Sequence, residues 1–66
     1  MKKYAFYDIN NIVKQSFVAE LDVQTLTNFM SDYAILFESV GVQEYDPSDE
    51  IQIGWSVVDH APVEII

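Results

Sequence analysis

The chain has 66 residues and no cysteine, and half of its residues are hydrophobic, including four tyrosines, four phenylalanines and one tryptophan. That length allows one domain, residues 1–66. A chain of this size buries only about 60% of the surface its unfolded form exposes, and no disulfide or thiolate metal site can brace it. Three basic against eleven acidic residues give a net charge of −8, which argues against direct binding to nucleic-acid phosphates or anionic lipid. A basic protein is the partner that this charge favours; the plainer reading is that the charge keeps an apolar small protein in solution. No apolar run approaches the about 18 residues of a membrane span. The opening MKKYAFYD lacks a sustained apolar stretch before Asp8, so no signal peptide is expected and the cytoplasm is the expected compartment.

Residues 3–8, KYAFYD, are rich in aromatics and read as a strand, with Tyr4 and Phe6 on one face and Ala5 and Tyr7 on the other. Ile9, Asn10 and Asn11 follow, and consecutive asparagines favour a hairpin loop through left-handed and Asx-turn geometry. Residues 12–19 read as the return strand. Its alternation places Val13, Gln15, Phe17 and Ala19 together, opposite Ile12, Lys14, Ser16 and Val18. Neither face is cleanly polar, which implies a sheet covered on both sides, or on one side by a neighbouring copy.

Residues 21–41, LDVQTLTNFMSDYAILFESVG, form the one segment long enough for a helix of several turns. Leu26, Phe29, Met30, Tyr33, Leu36, Phe37 and Val40 draw an apolar stripe at helical period. Asp22 stands at the N-cap, Gly41 at the position after the C-terminus where positive φ is common, and Thr27, Asn28, Asp32 and Glu38 lie on the opposite face. Beyond it, residues 42–45 read as a short strand, residues 46–50 (DPSDE) as a turn, and residues 51–58 (IQIGWSVV) as a further strand. Gly54 within that last run suggests a bulge or a close backbone approach. Residues 59–62 read as a turn, and residues 63–66 as an edge strand or a docking segment.

Four constellations bear on function. Asp46, Asp49 and Glu50 supply oxygen ligands for calcium, but their spacing is not that of an EF-hand loop and no glycine lies among them, so a solvated turn is preferred. Asp59 and His60 would form an acid–base pair only within a turn; no second histidine or motif-placed nucleophile accompanies them, and a surface histidine is preferred. The aromatics suit a stacking platform for bases, yet no basic groove goes with them, so most are assigned to the core. Trp55, Tyr7 and Tyr45 are retained as contact candidates, because half-buried aromatics anchor interfaces. Asp22, Asp32, Glu38, Glu44 and Asp46 make an acidic face that imitates a phosphate backbone or is simply solvated, the second being the ordinary condition of carboxylates. No catalytic, cofactor-binding or metal-binding residue is assigned, no cofactor is expected, and the chain is read as not an enzyme.

The stretch KKYAFYDINNIVKQSFVAE resembles the opening hairpin of small uncharacterised proteins of tailed bacteriophages, cyanophages among them, in which a Tyr-Ala pair is followed by a turn and an Asn-Ile-Val run. FMSDYAILFESVGV is similar to a helix of some of these proteins with the pattern F-x-x-D-Y-x-x-L-F, and YDPSDEIQIGWSVVD resembles their closing segment, with Gly54 and Trp55 matching. The chain departs from that pattern after Asp59, where His60, Ala61 and Pro62 replace a glycine turn and an aromatic. The resemblance implies a virion protein near tail or fibre components, present in the host cytoplasm during assembly and then in the virion. It defines no functional residue.

The expected architecture is therefore α+β: a small antiparallel sheet of three to five strands with one helix packed on one face, in the order hairpin, helix, short strands. The helix stripe is expected to meet Tyr4 or Phe6, Val13, Phe17, Ile51 or Ile53, and Trp55. The expected function is a non-enzymatic phage structural or assembly protein that docks to itself or to other virion proteins, without direct nucleic-acid or membrane contact. The interaction candidates are Trp55, Tyr7, Tyr45, Asp32, Glu38, Glu44 and Asp46. The alternative is a small acidic inhibitor or host-takeover factor that binds a basic, nucleic-acid-binding host protein.

Overall fold

In the computed structural model, which describes residues 1–59, the aromatic run near the N-terminus is strand β1 (Lys2–Tyr7). It pairs antiparallel with β2 (Val13–Ala19) as a hairpin. The turn is organised by a residue outside the asparagine pair. The Asp8 carboxylate accepts from the backbone N–H groups of Asn10 (2.9 Å) and Ile12 (3.0 Å). Asn11 takes the left-handed conformation, with φ of 64°, which asparagine tolerates.

A β-bulge follows at once. Phe6 pairs with Gln15 but Tyr7 pairs with Val13, so Lys14 is the extra residue. Its ammonium lies 3.4 Å from the Asp8 carboxylate. The extra residue reverses the alternation, because residues facing each other across a ladder share a side. Gln15, Phe17 and Ala19 stay with Phe6 and Tyr4; Val13 moves to the side of Ala5 and Tyr7. The expectation that Val13 shares a face with Phe17 is corrected by this one residue.

Helix α1 spans Val23–Leu36 and starts as expected, with the Asp22 carboxylate accepting from the Thr25 N–H at 2.7 Å. It ends well before Gly41. Phe37 leaves helical geometry, and Glu38 turns the chain through a left-handed φ of 57°. The Val40 N–H then donates to the Tyr7 carbonyl (2.8 Å), and the Ser39 hydroxyl bridges Tyr7 O and Gly41 O. The Ser39 N–H also donates back to the Tyr33 carbonyl (3.1 Å), so the end of α1 is held by its own last turn as well as by pairing to β1. Gly41 opens β3 (Gly41–Tyr45) opposite Tyr7. A Cβ there would lie 2.5 Å from the Tyr7 hydroxyl oxygen, so this glycine makes room for a ring and does not supply positive φ.

The strand order is β2-β1-β3, antiparallel at both pairings. β2 and β3 therefore run parallel to each other with β1 between them, and α1 is the crossover such a pair requires. The fold is α+β, with a three-stranded antiparallel sheet and one helix.

Each sheet face is closed by the chain itself. On the helix face, Phe29 meets Phe17 (centroids 5.3 Å apart) and Tyr33 meets Phe6 edge-on (4.8 Å, 74°). Tyr4 and Phe37 extend this ring cluster at its two ends. The opposite face holds Ala5, Val13, Tyr45 and Ile51, with Trp55 and Val57 packed against them. The expected contacts of the helix with Val13, Ile51 and Trp55 are thus replaced: those residues lie across the sheet from it.

Residues 51–58 are not a strand. Gly54 adopts a φ of +96°, and a Cβ built on it would meet nothing within 4 Å, so the glycine is needed for its left-handed turn and not for side-chain clearance. The segment nevertheless hooks onto β2 by its backbone. The Gly54 N–H donates to Val13 O (2.8 Å), the Val13 N–H to Trp55 O (2.8 Å) and the Val57 N–H to Asn11 O (2.9 Å). The turn expected at residues 46–50 is present: Asp46 Oδ1 accepts from the Ser48 N–H and hydroxyl, and Asp49 N–H donates to Asp46 O. The turn expected at residues 59–62 falls largely, and the edge strand at 63–66 wholly, outside the described residues.

Candidate docking surface

The helix stripe is narrower than its sequence pattern. Leu26, Phe29, Tyr33 and Phe37 turn toward the sheet and are half-buried, and no residue of α1 is fully buried. Leu36 is 68% exposed and Val40 61% exposed, so both leave the core set expected of them. Val23 and Ile35 are each 83% exposed. They escaped the sequence reading because it followed the stripe; the signal was that both fall outside its spacing. Ile35 sits among polar neighbours on the outer side of the helix.

The interaction candidates divide between the two sides of the sheet. Tyr45 is 5% exposed and belongs to the second-face core, which removes it from the surface. Burial, then the nearby Asp49 charge, push its phenol above the usual range. Trp55 is half-buried against the same cluster, and Tyr7 is half-buried across Gly41. The carboxylates are exposed but scattered: Asp32 on α1, Glu38 just after it, Glu44 on β3 and Asp46 in the following turn.

Their electrostatics are one-sided. The chain has three basic residues besides histidine, all lysines, and each is engaged internally. Lys2 pairs with Glu44 at 3.0 Å, Lys14 with Asp8, and Lys3 donates to the Asp49 carbonyl at 2.8 Å. The Glu44 hydrogen bond and charge hold the Lys2 ammonium above its usual range. Glu20, Asp22, Asp32, Glu38, Glu50 and Asp59 are exposed with no lysine opposite them. The Thr25 backbone bond holds Asp22 below the usual carboxylate range, and Ser48 does the same for Asp46, so both stay charged near neutrality. Among the described residues no group of three His, Asp or Glu side chains converges as a metal site would require. Around the calcium candidate, Asp46 caps Ser48 and Glu50 accepts from the Gln52 amide.

One cleft, of about 340 Å³, lies between the start of α1 and the ends of β1 and β2. Tyr4, Ala19, Leu21, Val23, Leu26 and Met1 line it, and Lys2, Glu20, Asp22 and Glu44 form its charged margin. Of these, Glu44 alone is one of the interaction candidates drawn from the sequence; Asp22 belongs to the acidic face. No described helix is long and apolar enough to cross a membrane. No family model, curated protein or solved structure matches this chain.

Proposed function

We propose that this chain is a non-enzymatic docking protein, a structural or assembly component of a tailed phage that binds itself or other virion proteins. The observation that carries the docking reading is the half-used helix. α1 gives one narrow stripe to the core and leaves Val23, Ile35 and Leu36 largely in solvent, in a chain that is half hydrophobic. Large aliphatic side chains that the fold leaves uncovered, here at both ends of α1, are available to a protein contact. The outer edge of β3, which pairs with β1 only on its inner side among the described strands, offers backbone groups to the same end. Resemblance to small phage proteins supplies the virion part of the reading. Light scattering after gel filtration, at low and high salt, tests it. A discrete oligomer that persists at high salt is expected. A monomer at every concentration and salt overturns self-assembly.

A second reading, an acidic factor that binds a basic host protein, is favoured by the internal engagement of all three lysines, which leaves an outward field of one sign. Its partner binding would weaken steeply with salt, whereas an apolar contact would barely change.

A further inference from the structure

We propose that the cleft at the start of α1 receives a basic–apolar peptide segment of another protein, with one aliphatic or aromatic side chain seated between Tyr4, Ala19 and Leu26 and a neighbouring lysine or arginine placed against Glu20 and Asp22. This deepens the docking reading and rests on it. At about 340 Å³ the cleft holds one large side chain with its flanking backbone, at the lower end of the about 300–1,000 Å³ of ligand sites. Its floor is apolar. One wall is Val23 and another is Met1, both largely exposed, so the seated group would cover surface that the fold leaves wet.

Charge selects the occupant. Of the four charged residues at the margin, Lys2 and Glu44 neutralise each other at 3.0 Å. Glu20 and Asp22 then give the margin a net negative charge. Asp22 uses one oxygen to cap the helix through Thr25, and a carboxylate has acceptor capacity left for a second donor. Nucleic acid and anionic lipid are repelled by such a margin. A second copy of this chain is a poor occupant, because its three lysines are already engaged within its own fold. A foreign segment with a free cation beside an apolar anchor satisfies both halves of the cleft.

The test is a titration of the isotopically labelled full chain, followed by amide chemical shifts, with three capped peptides: Ala-Lys-Phe-Lys-Ala, Ala-Glu-Phe-Glu-Ala and Ala-Lys-Ala-Lys-Ala. Saturable shifts at residues 19–26 and 2–4 are expected with the first. The alanine-centred peptide should bind about tenfold or more weakly, having lost a buried aromatic side chain. The glutamate peptide should give no saturable shift. Glu20→Gln, at an exposed position, should weaken the first peptide roughly two- to five-fold while the spectrum stays folded. Equal binding of all three peptides, absence of saturable shifts, or shifts centred elsewhere would overturn the proposal. Shifts at the same amides on raising the protein concentration alone would assign the cleft to a second copy and overturn it too. The oligomer measurement is independent: peptides that fail while a salt-resistant oligomer forms remove this inference and leave the docking reading standing.

Discussion

The helix face and the opposite face of the sheet are closed by different physics. On the helix face the closure is made of side chains: Tyr4, Phe6 and Phe17 meet Phe29, Tyr33 and Phe37 ring to ring. On the opposite face an irregular segment is held down by backbone hydrogen bonds to β2 and Asn11, and only then lays Ile51, Trp55 and Val57 over Ala5 and Val13. The first kind of closure needs periodicity, which a sequence displays. The second needs a bulge, a left-handed glycine and an available strand edge. The contrast teaches that a short coil can do for one face what a helix does for the other, provided its amides find partners.

Cutting each core at its centre tests this contrast most strongly. Phe6 is fully buried at the helix face, and Phe6→Ala should cost about 3–5 kcal/mol. That is comparable to the whole stability of so small a domain, at about 0.05–0.15 kcal/mol per residue, so the cooperative thermal transition should vanish. Val13 is its fully buried counterpart on the other face. Val13→Ala should cost about 2 kcal/mol, keep the fold, and speed hydrogen exchange at Gly54 and Val57. If both variants unfold alike, the two faces are one cooperative core and the distinction fails.

The glycines come next. Gly54→Ala places a side chain at a φ of +96° in open space, so backbone strain alone should cost about 1–2 kcal/mol and act on the second face. Gly41→Ala meets only the tip of the Tyr7 ring, which can swing aside, so its cost should be smaller. Tyr7→Ala should abolish it; a cost that survives in that background would place the strain in the backbone instead.

The smallest effect at neutral pH is electrostatic. The Ile12 and Asn10 amides and Lys14 hold the Asp8 carboxyl below its ordinary value of 3.8, against the opposing effect of burial. A carboxyl lowered in the folded state stabilises the fold above its unfolded pKa and loses that contribution as pH falls through the folded one. Urea midpoints should therefore be flat above the carboxylate range and drop below it. Asp8 also holds the turn and bulge that send Val13 to the second face, so the protection factors of the Val13, Gly54 and Val57 amides, taken against the intrinsic rate at each pH, should fall in acid before those of α1. Loss of both together would mean that Asp8 supports the sheet as a whole.

Much of the fold was legible in local pattern. The hairpin, the Asp22 cap, the helix and the DPSDE turn each follow from residues close in sequence. The candidate surface was less so. Tyr45 looked like a contact residue because its exposure depends on Ile51 and on a coil that reads as a strand. Val23 and Glu20 looked like ordinary helix-entry residues, because the cleft they line exists only once β1 ends beneath α1.

The sequence by itself determined an acidic, cysteine-free α+β domain whose elements are spelled in period two and period 3.6. Those periods record how each segment divides apolar from polar within a few residues. Tertiary structure decided how the chain leaves α1 for the sheet, which side Val13 takes and what covers the second face. Those outcomes depend on backbone hydrogen bonds between distant segments: Val40 to Tyr7, and Gly54 and Trp55 to Val13. Backbone amides are alike in every residue, so their choice of partner leaves no mark in the side-chain pattern.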